Sequence, residues 1–221
     1  MRTSYRHSLD ELGAVLRAMG RRGRDAVEHA GRALLDTDLD EAERALDLCE
    51  GFEADRENCE TAAMTLLALQ APVAGELRQV VTTIQLVSDL SRMGALAQHL
   101  AEIARLRHPA PVVPASVRPL VTRMAAVAVE LADGAIEAMT SEDPETAAGL
   151  DVADDVMDDL HETLLARILA EDWADGVVAA VDLTLIGRYY ERFADHAVQV
   201  GHRIVFVATG RAAEQRESAE N

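Results

Sequence analysis

The amino-acid sequence predicts an all-α protein built as two tandem three-helix bundles, with six long antiparallel helices. Only 3% of the 221 residues are aromatic, and Ala, Leu, Val, Arg and Glu are abundant, which favours helices over a β-sandwich or barrel. Apolar residues recur at three-four spacing along most of the chain, as they do in amphipathic helices. The six prolines separate these periodic segments or stand in their first turns.

The prolines and the apolar periodicity together give the boundaries of the helices. We expect helices at 3–36, 38–70, 73–107, 116–141, 144–171 and 176–208. Pro72 ends the second pattern, and Asp143 followed by Pro144 marks a capped start for the fifth. The apolar face of the third helix consists of Val80, Ile84, Val87, Leu90, Met93, Leu96, Leu100 and Ile103. Long helices with short connections are typical of antiparallel bundles.

The chain divides into two halves at its one long connection. The expected units are a first three-helix repeat at 1–107, a linker at 108–119, a second three-helix repeat at 120–210 and a polar, disordered tail at 211–221. The two halves also align in a consistent order, with Met19, Asp38 and Arg92 falling on Met124, Asp143 and Arg192. This agreement predicts an internal duplication.

Charge and composition exclude several classes of protein. The net charge of −18 argues against a nucleic-acid-binding surface. No apolar run approaches the ~18 residues that a membrane span needs, and the first residues do not resemble a signal peptide. Cys49 and Cys59 lie ten residues apart on one predicted helix, roughly 15 Å, which is too far for a disulfide. We therefore expect a reduced, soluble, cytoplasmic protein.

Acidic side chains are concentrated in the fifth and sixth predicted helices. Glu191 and Asp195 lie one turn apart on one helix face, and Asp155 or Asp158 of the preceding helix could complete a group with them. Clustered carboxylates are the ligands that hard cations prefer, so these four residues are the predicted metal site. A solvated acidic face near a helix N-terminus is the alternative interpretation, and it stays open.

Four segments of the sequence resemble one known family. "LLALQAPVAGELR" at 66–78 is similar to the signature of PhoU-type phosphate-signalling proteins, at the turn between their second and third helices. "ERFADHAVQVGHRI" at 191–204 resembles the repeated ExxxD helix of that family. "MRTSYRHSLDEL" resembles its opening and "DDVMDDLH" its fifth helix. The resemblance covers roughly residues 1–210 and implies a fold of two tandem three-helix bundles.

The resemblance also implies a function. PhoU-type proteins are cytoplasmic regulators, not enzymes, that restrain phosphate uptake by the Pst ABC transporter. They also keep a phosphate-sensing histidine kinase inactive when phosphate is plentiful. The implied partners are the transporter's ATPase subunit and the kinase, so the membrane is reached only peripherally; a homodimer is left open, and nucleic acid is not expected. Many members bind metal through their ExxxD motifs, here Mg²⁺, Mn²⁺, Fe, Ca²⁺ or adventitious Zn²⁺.

The first half departs from the family pattern. Ser91 stands where Glu191 stands in the second half, Ala95 where Asp195 stands, and Asn58 opposite Asp158. Alanine supplies no oxygen donor, and neutral serine and asparagine are poorer cation ligands than carboxylates. We therefore expect cation binding in the second repeat only.

The sequence leaves two other interpretations of the function open and disfavours a third. A metal-free helical scaffold and a divergent PhoU paralogue with altered regulation both remain open. A carboxylate-metal enzyme such as a di-iron oxidase is disfavoured, because such sites use ExxH pairs and this chain has none. The sequence also contains no HExxH, P-loop or GxGxxG motif, so we expect no catalytic residue and no organic cofactor.

Overall fold

The computed structural model describes residues 2–141 and 143–210, and within these ranges it contains helices and no β-strand. The helices are α1 (Arg2–Asp36), α2 (Leu39–Cys49), α3 (Phe52–Gln70), α4 (Gly75–Arg107), α5 (Arg118–Ser141), α6 (Pro144–Ala148), α7 (Leu150–Ile168) and α8 (Gly176–Thr209). The predicted all-α class is confirmed. Among the described helices, none combines the length and apolarity needed to cross a bilayer. The predicted tail at 211–221 lies outside the described residues.

Two of the six predicted helices are interrupted. The segment predicted as 38–70 forms α2 and α3, with Gly51 in the left-handed region at a φ of 83° between them, a conformation that favours glycine. The segment predicted as 144–171 forms α6 and α7. Asp143 caps α6 by accepting hydrogen bonds from the backbone N–H groups of Glu145 and Thr146, which confirms the predicted start at Pro144.

The helices pack as two sets that share a common centre. Helices α1 to α4 contact one another, and α5 to α8 do the same. Between the sets, α4 packs along α8 and α1 packs along α5. The largest fully buried side chains come from both sets and include Met19, Leu34, Leu90, Met93, Met124, Leu131, Tyr190 and Phe193. The apolar faces predicted from periodicity therefore meet in one continuous core.

Polar side chains join α4 and α8 across the boundary between the two sets. Arg107 donates two hydrogen bonds to the buried Asp182, at 2.7 and 2.9 Å. Arg203 donates to the buried Asp89 at 2.5 Å, and Nδ1 of His196 lies 3.2 Å from the same carboxylate. Each pair joins the later part of one helix to the earlier part of the other, so α4 and α8 run antiparallel.

Both cysteines are small core residues, as expected. Cys49 and Cys59 are free and buried, although they lie on α2 and α3 rather than on one helix. The Cys49 thiol donates to the backbone carbonyl of Gly94 at 3.3 Å, and burial raises its pKa to about 12. A thiol with so high a pKa is unreactive at neutral pH.

The buried carboxylate of Asp89 should be essential to the packing of α4 on α8. Asp89→Ala leaves Arg203 without its partner, and we expect it to lower the free energy of unfolding by about 3 kcal/mol. Urea denaturation measures the change. Asp133→Ala is the matched control: Asp133 is exposed and pairs with Arg24 at 3.1 Å, and its loss should cost less than about 1 kcal/mol. Equal losses from the two substitutions would contradict a special role for Asp89.

Candidate functional site

The second half carries a group of acidic side chains where α7 faces α8. Three aspartates on α7 follow three-four spacing, so they share one helix face. We call the acidic seam the five residues Asp151, Asp154, Asp158, Glu191 and Asp195. The two helices approach closely because α8 has glycine at 187: a Cβ there would lie 3.0 Å from Cδ2 of His161 on α7.

The carboxylates of the seam perturb one another. Burial and, after it, the negative charges of Asp158, Asp195, Asp151 and Asp155 together raise the pKa of Asp154 to about 6. Burial, followed by the charge of Asp195, also raises the pKa of Glu191, although Arg188 and His161 oppose the shift. The seam therefore holds more negative charge than its surroundings compensate.

Basic side chains partly neutralise the seam. Arg188, one turn before Glu191, donates to both of its carboxylate oxygens, at 2.6 and 2.5 Å. The Arg192 guanidinium lies 3.7 Å from Asp195. Nε2 of His202 lies 2.8 Å from Asp151. For Asp154 and Asp158, the described residues provide no ion pair.

Electrostatic interactions connect all four predicted ligands to the seam. The charge of Asp195 acts on Glu191, and the charges of Asp195, Asp158 and Asp155 act on Asp154. Asp155 is exposed, and Asp154, one position earlier, is the half-buried carboxylate that couples with Asp195. The three-four series of Asp151, Asp154 and Asp158 in the sequence was the signal that could have identified Asp154.

The seam does not form a ready coordination sphere. In the part of the chain that the structure describes, no three His, Cys, Asp or Glu side chains are grouped as a metal site requires. Glu191 is occupied by Arg188, and the neighbouring carboxylates influence one another without converging on a common point. A cation would therefore need side-chain rearrangement before these oxygens could surround it.

The corresponding surface of the first half is differently built. Gly94 lies between Ser91 and Ala95 on α4, and the Phe52 ring covers it: a Cβ on Gly94 would lie 2.8 Å from that ring. Asn58 is exposed. An aromatic ring therefore covers the backbone between Ser91 and Ala95.

The remaining acid of the first half is already paired with an arginine. Arg22 of α1 lies 4.4 Å above the Phe52 ring and donates to the Asp55 carboxylate at 2.7 Å. The same guanidinium donates to the backbone carbonyls of Leu48 and Glu50. An internal cation therefore neutralises Asp55, whereas Asp154 in the second half has no such partner among the described residues.

Known proteins match this chain over nearly its whole length. The family model described as PhoU domain matches residues 16–104 and 121–204. The Mycobacterium tuberculosis "Phosphate-specific transport system accessory protein PhoU homolog 2" is 49% identical over 210 residues, which cover 95% of this chain and 99% of that protein. The Mycobacterium leprae PhoU homolog 1 is 48% identical, with 95% of each chain covered. The crystal structure of PhoU from Pseudomonas aeruginosa has a TM-score of 0.85 at 21% identity and covers 94% of this chain and 100% of that one.

The raised pKa of Asp154 predicts a pH-dependent stability. Its value of about 6 in the folded chain lies above the ordinary 3.8, so folding favours the protonated form. Stability from this group is therefore lost as the pH rises from about 4 through about 6. Asp154→Asn removes the penalty and should raise the melting temperature near pH 7, with the difference vanishing below about pH 4.

Thermal unfolding across this pH range measures the effect, with the exposed neighbour Asp155 as the control. Asp155→Asn removes the same formal charge and should give a smaller increase. A lower melting temperature for Asp154→Asn near pH 7 would show that the fold stabilises its charge.

Proposed function

The chain belongs to the PhoU family, and from this premise we propose that it is a regulator that restrains phosphate uptake and phosphate-starvation signalling by protein–protein contact. Its partners would be the ATPase subunit of a Pst transporter and a phosphate-sensing histidine kinase, contacted from the cytoplasm. The curated relatives are named as accessory proteins of the phosphate-specific transport system, which supports the transport side of the proposal. No catalytic step is assigned to the chain.

The observation that carries the proposal is a pair of exposed apolar surfaces at corresponding turns. We call them the turn patches: the first consists of Leu69, Val73, Leu77 and Val81, and the second of Leu169, Val177, Val181 and Leu185. Leu69 is 74% exposed and Leu169 is 82% exposed. Clustered exposed apolar side chains are characteristic of surfaces that contact other proteins.

The duplication of the patches strengthens this interpretation. Leu69 aligns with Leu169 and Val81 with Val181, so both repeats place apolar side chains at the same turn. The first patch also lies within the segment that resembles the family signature. A surface present in both repeats offers a partner two similar points of attachment.

A second candidate function is that of a divergent paralogue with altered regulation. It is favoured by the first repeat, where Ser91 and Ala95 replace acids and Arg22 neutralises Asp55. Such a protein would keep the docking surfaces but respond to a different signal.

Deletion of the gene should deregulate phosphate-uptake genes. We expect alkaline phosphatase activity and Pst expression to rise in phosphate-rich medium, in a strain from which any second homologue has also been removed. Unchanged expression in that strain would contradict the primary proposal and favour the divergent paralogue. The wild-type gene should restore repression.

The turn patches can be tested in the same strain. The double variant Leu69→Glu with Leu169→Glu should fold normally, because both side chains are exposed, but should fail to restore repression. It should also lose retention of the Pst ATPase subunit or the kinase in pull-down assays. Leu106→Glu is the matched control, since Leu106 is 74% exposed and lies outside both patches. Full complementation by the double variant would exclude the patches as the docking surface.

We also propose that the acidic seam is a weak site for one hard cation and that the first repeat has none. Mg²⁺, Mn²⁺, Fe and Ca²⁺ suit an all-oxygen donor set, with Zn²⁺ as an adventitious occupant. Support comes from the raised pKa of Asp154, since a cation would remove the repulsion that burial intensifies. Binding would require Glu191 to exchange Arg188 for the cation, which explains why the affinity should be low.

Calorimetric titration with Mn²⁺ tests the site. Binding should be lost in the double variant Glu191→Ala with Asp195→Ala and kept in the control Ser91→Ala with Asn58→Ala. Far-UV circular dichroism checks that both remain helical. Equal binding by wild type and both variants would refute the assignment, and no binding by the wild type would favour the metal-free scaffold.

A further inference from the structure

The guanidinium of Arg22 lies where α1 meets the break between α2 and α3. Each of its three nitrogens donates a hydrogen bond there. Nη1 donates to the Asp55 carboxylate at 2.7 Å, Nη2 to the backbone carbonyl of Glu50 at 3.0 Å and Nε to that of Leu48 at 3.3 Å. Oxygens from the end of α2 and the start of α3 therefore converge on one positively charged group.

The surroundings of these oxygens favour a positive charge. Leu48 and Glu50 lie at the C-terminal end of α2, where the helix dipole is negative, and the last turn of α2 contains no basic residue. Asp55 adds a full negative charge from the first turn of α3. The next arginine along the chain, Arg56, pairs with Glu53 and Glu60 instead. Among the described residues, Arg22 is the only ion-pair partner of Asp55.

An aromatic ring completes the surroundings of the guanidinium. The Phe52 ring lies 4.4 Å from its central carbon, and the face of such a ring attracts cations, planar guanidinium groups above all. Phe52 is only 4% exposed, and a Cβ on Gly94 of α4 would lie 2.8 Å from the ring. The ring is therefore held by α4 as well as by its own helix.

The second repeat has the same helix break without an internal cation. The break between α6 and α7 lies at Gly149, which aligns with Cys49 beside the first break. Arg22 aligns with Val127, which is fully buried, and Phe52 aligns with Val152, which is 70% exposed. The sequence from 124 to 166 contains no arginine or lysine. The acids beside the second break are thus left without the arginine and the ring that the first break has.

We propose that Arg22 is a built-in ligand, whose guanidinium occupies a pocket for a planar organic cation formed by the end of α2, the start of α3 and the Phe52 ring. The first repeat closes its helix break with a cation from its own α1, so it needs no ion from solution. When the arginine is truncated, the same oxygens and ring take up a free guanidinium-type cation. If the acidic seam binds a cation as proposed above, a consequence that rests on that proposal is that only the second repeat responds to cations in solution.

Chemical rescue of Arg22→Ala tests the pocket. The variant should melt about 4 °C or more below wild type, because Asp55 and two carbonyls lose their donor. Methylguanidinium at about 20 mM should restore about half of this loss, since binding to the folded state alone stabilises it. Arg21→Ala is the matched control: Arg21 is the exposed neighbour and forms no ion pair with the described residues. It should melt like wild type and gain nothing from methylguanidinium.

Other cations identify what the pocket prefers. Each shift in melting temperature is taken relative to the shift of wild type in the same cation, which removes any effect of the acidic seam. Methylammonium and Mn²⁺ should both stabilise Arg22→Ala less than methylguanidinium does, because neither has a planar fork of donors. A larger rescue by either of them would overturn the assignment to a planar cation. No rescue by any of the three would overturn the pocket.

The double variant Arg22→Ala with Asp55→Asn tests where the added cation binds. It keeps both carbonyls and the ring but lacks the negative charge, so most of the rescue by methylguanidinium should be lost. Full rescue in the double variant would place the cation elsewhere and overturn the assignment.

Arg22→Lys keeps the proposal testable even if Arg22→Ala does not fold. Its ammonium group keeps the charge beside Asp55 but cannot donate in one plane to the carboxylate and both carbonyls, so it should still melt below wild type. Melting equal to that of wild type would show that a point charge is enough and would overturn the planar pocket. These measurements need no partner protein, so the pocket and the regulatory proposal can fail separately.

Discussion

The antiparallel packing of α4 on α8 is the interaction on which the rest of the structure depends. It joins the two repeats through an apolar surface and through two buried aspartates, Asp89 and Asp182, each paired with an arginine of the other helix. A buried carboxylate without a partner is costly, so a shift of α8 along α4 by one turn would break both pairs together. Apolar contacts alone would tolerate such a shift better, since leucine, valine and alanine recur at every turn of both helices. The ion pairs therefore determine the register of the repeats.

The same helix carries the candidate site on another of its faces. Asp195 and His196 are neighbours in sequence, and neighbours on a helix point about 100° apart. The charge of Asp195 on α8 acts on Asp154 on α7, whereas Nδ1 of His196 lies 3.2 Å from the Asp89 carboxylate on α4. The position of the seam carboxylates on α8 is thus coupled to the register between the repeats. A change of charge in the seam therefore acts on α8, which also packs against α4 of the first repeat.

The helices and part of the site could be predicted from the sequence because both depend on the local pattern of residues. Helix periodicity predicted the apolar faces, and one-turn spacing placed Glu191 with Asp195. The half-buried position of Asp154 could not be predicted, because which of several neighbouring aspartates is covered depends on how α7 packs against α8. The role of Asp89 could not be predicted for a related reason: a lone acid in an apolar helix becomes meaningful only when Arg203, 114 positions away, is placed beside it.

The two repeats differ most where polar groups are satisfied, and this difference locates the functional candidates. Around Asp55 the first repeat supplies Arg22 as an internal cation, whereas the second leaves Asp154 half-buried among other acids. Where α4 packs on α8, the Thr82 hydroxyl has no hydrogen-bond partner among the described residues, whereas its counterpart Asp182 accepts two hydrogen bonds from Arg107 of α4. Local rules of pairing are usually broken where a protein binds something else. Asp154 is therefore the acid at which a bound cation would relieve a repulsion that internal pairing with Arg22 prevents at Asp55.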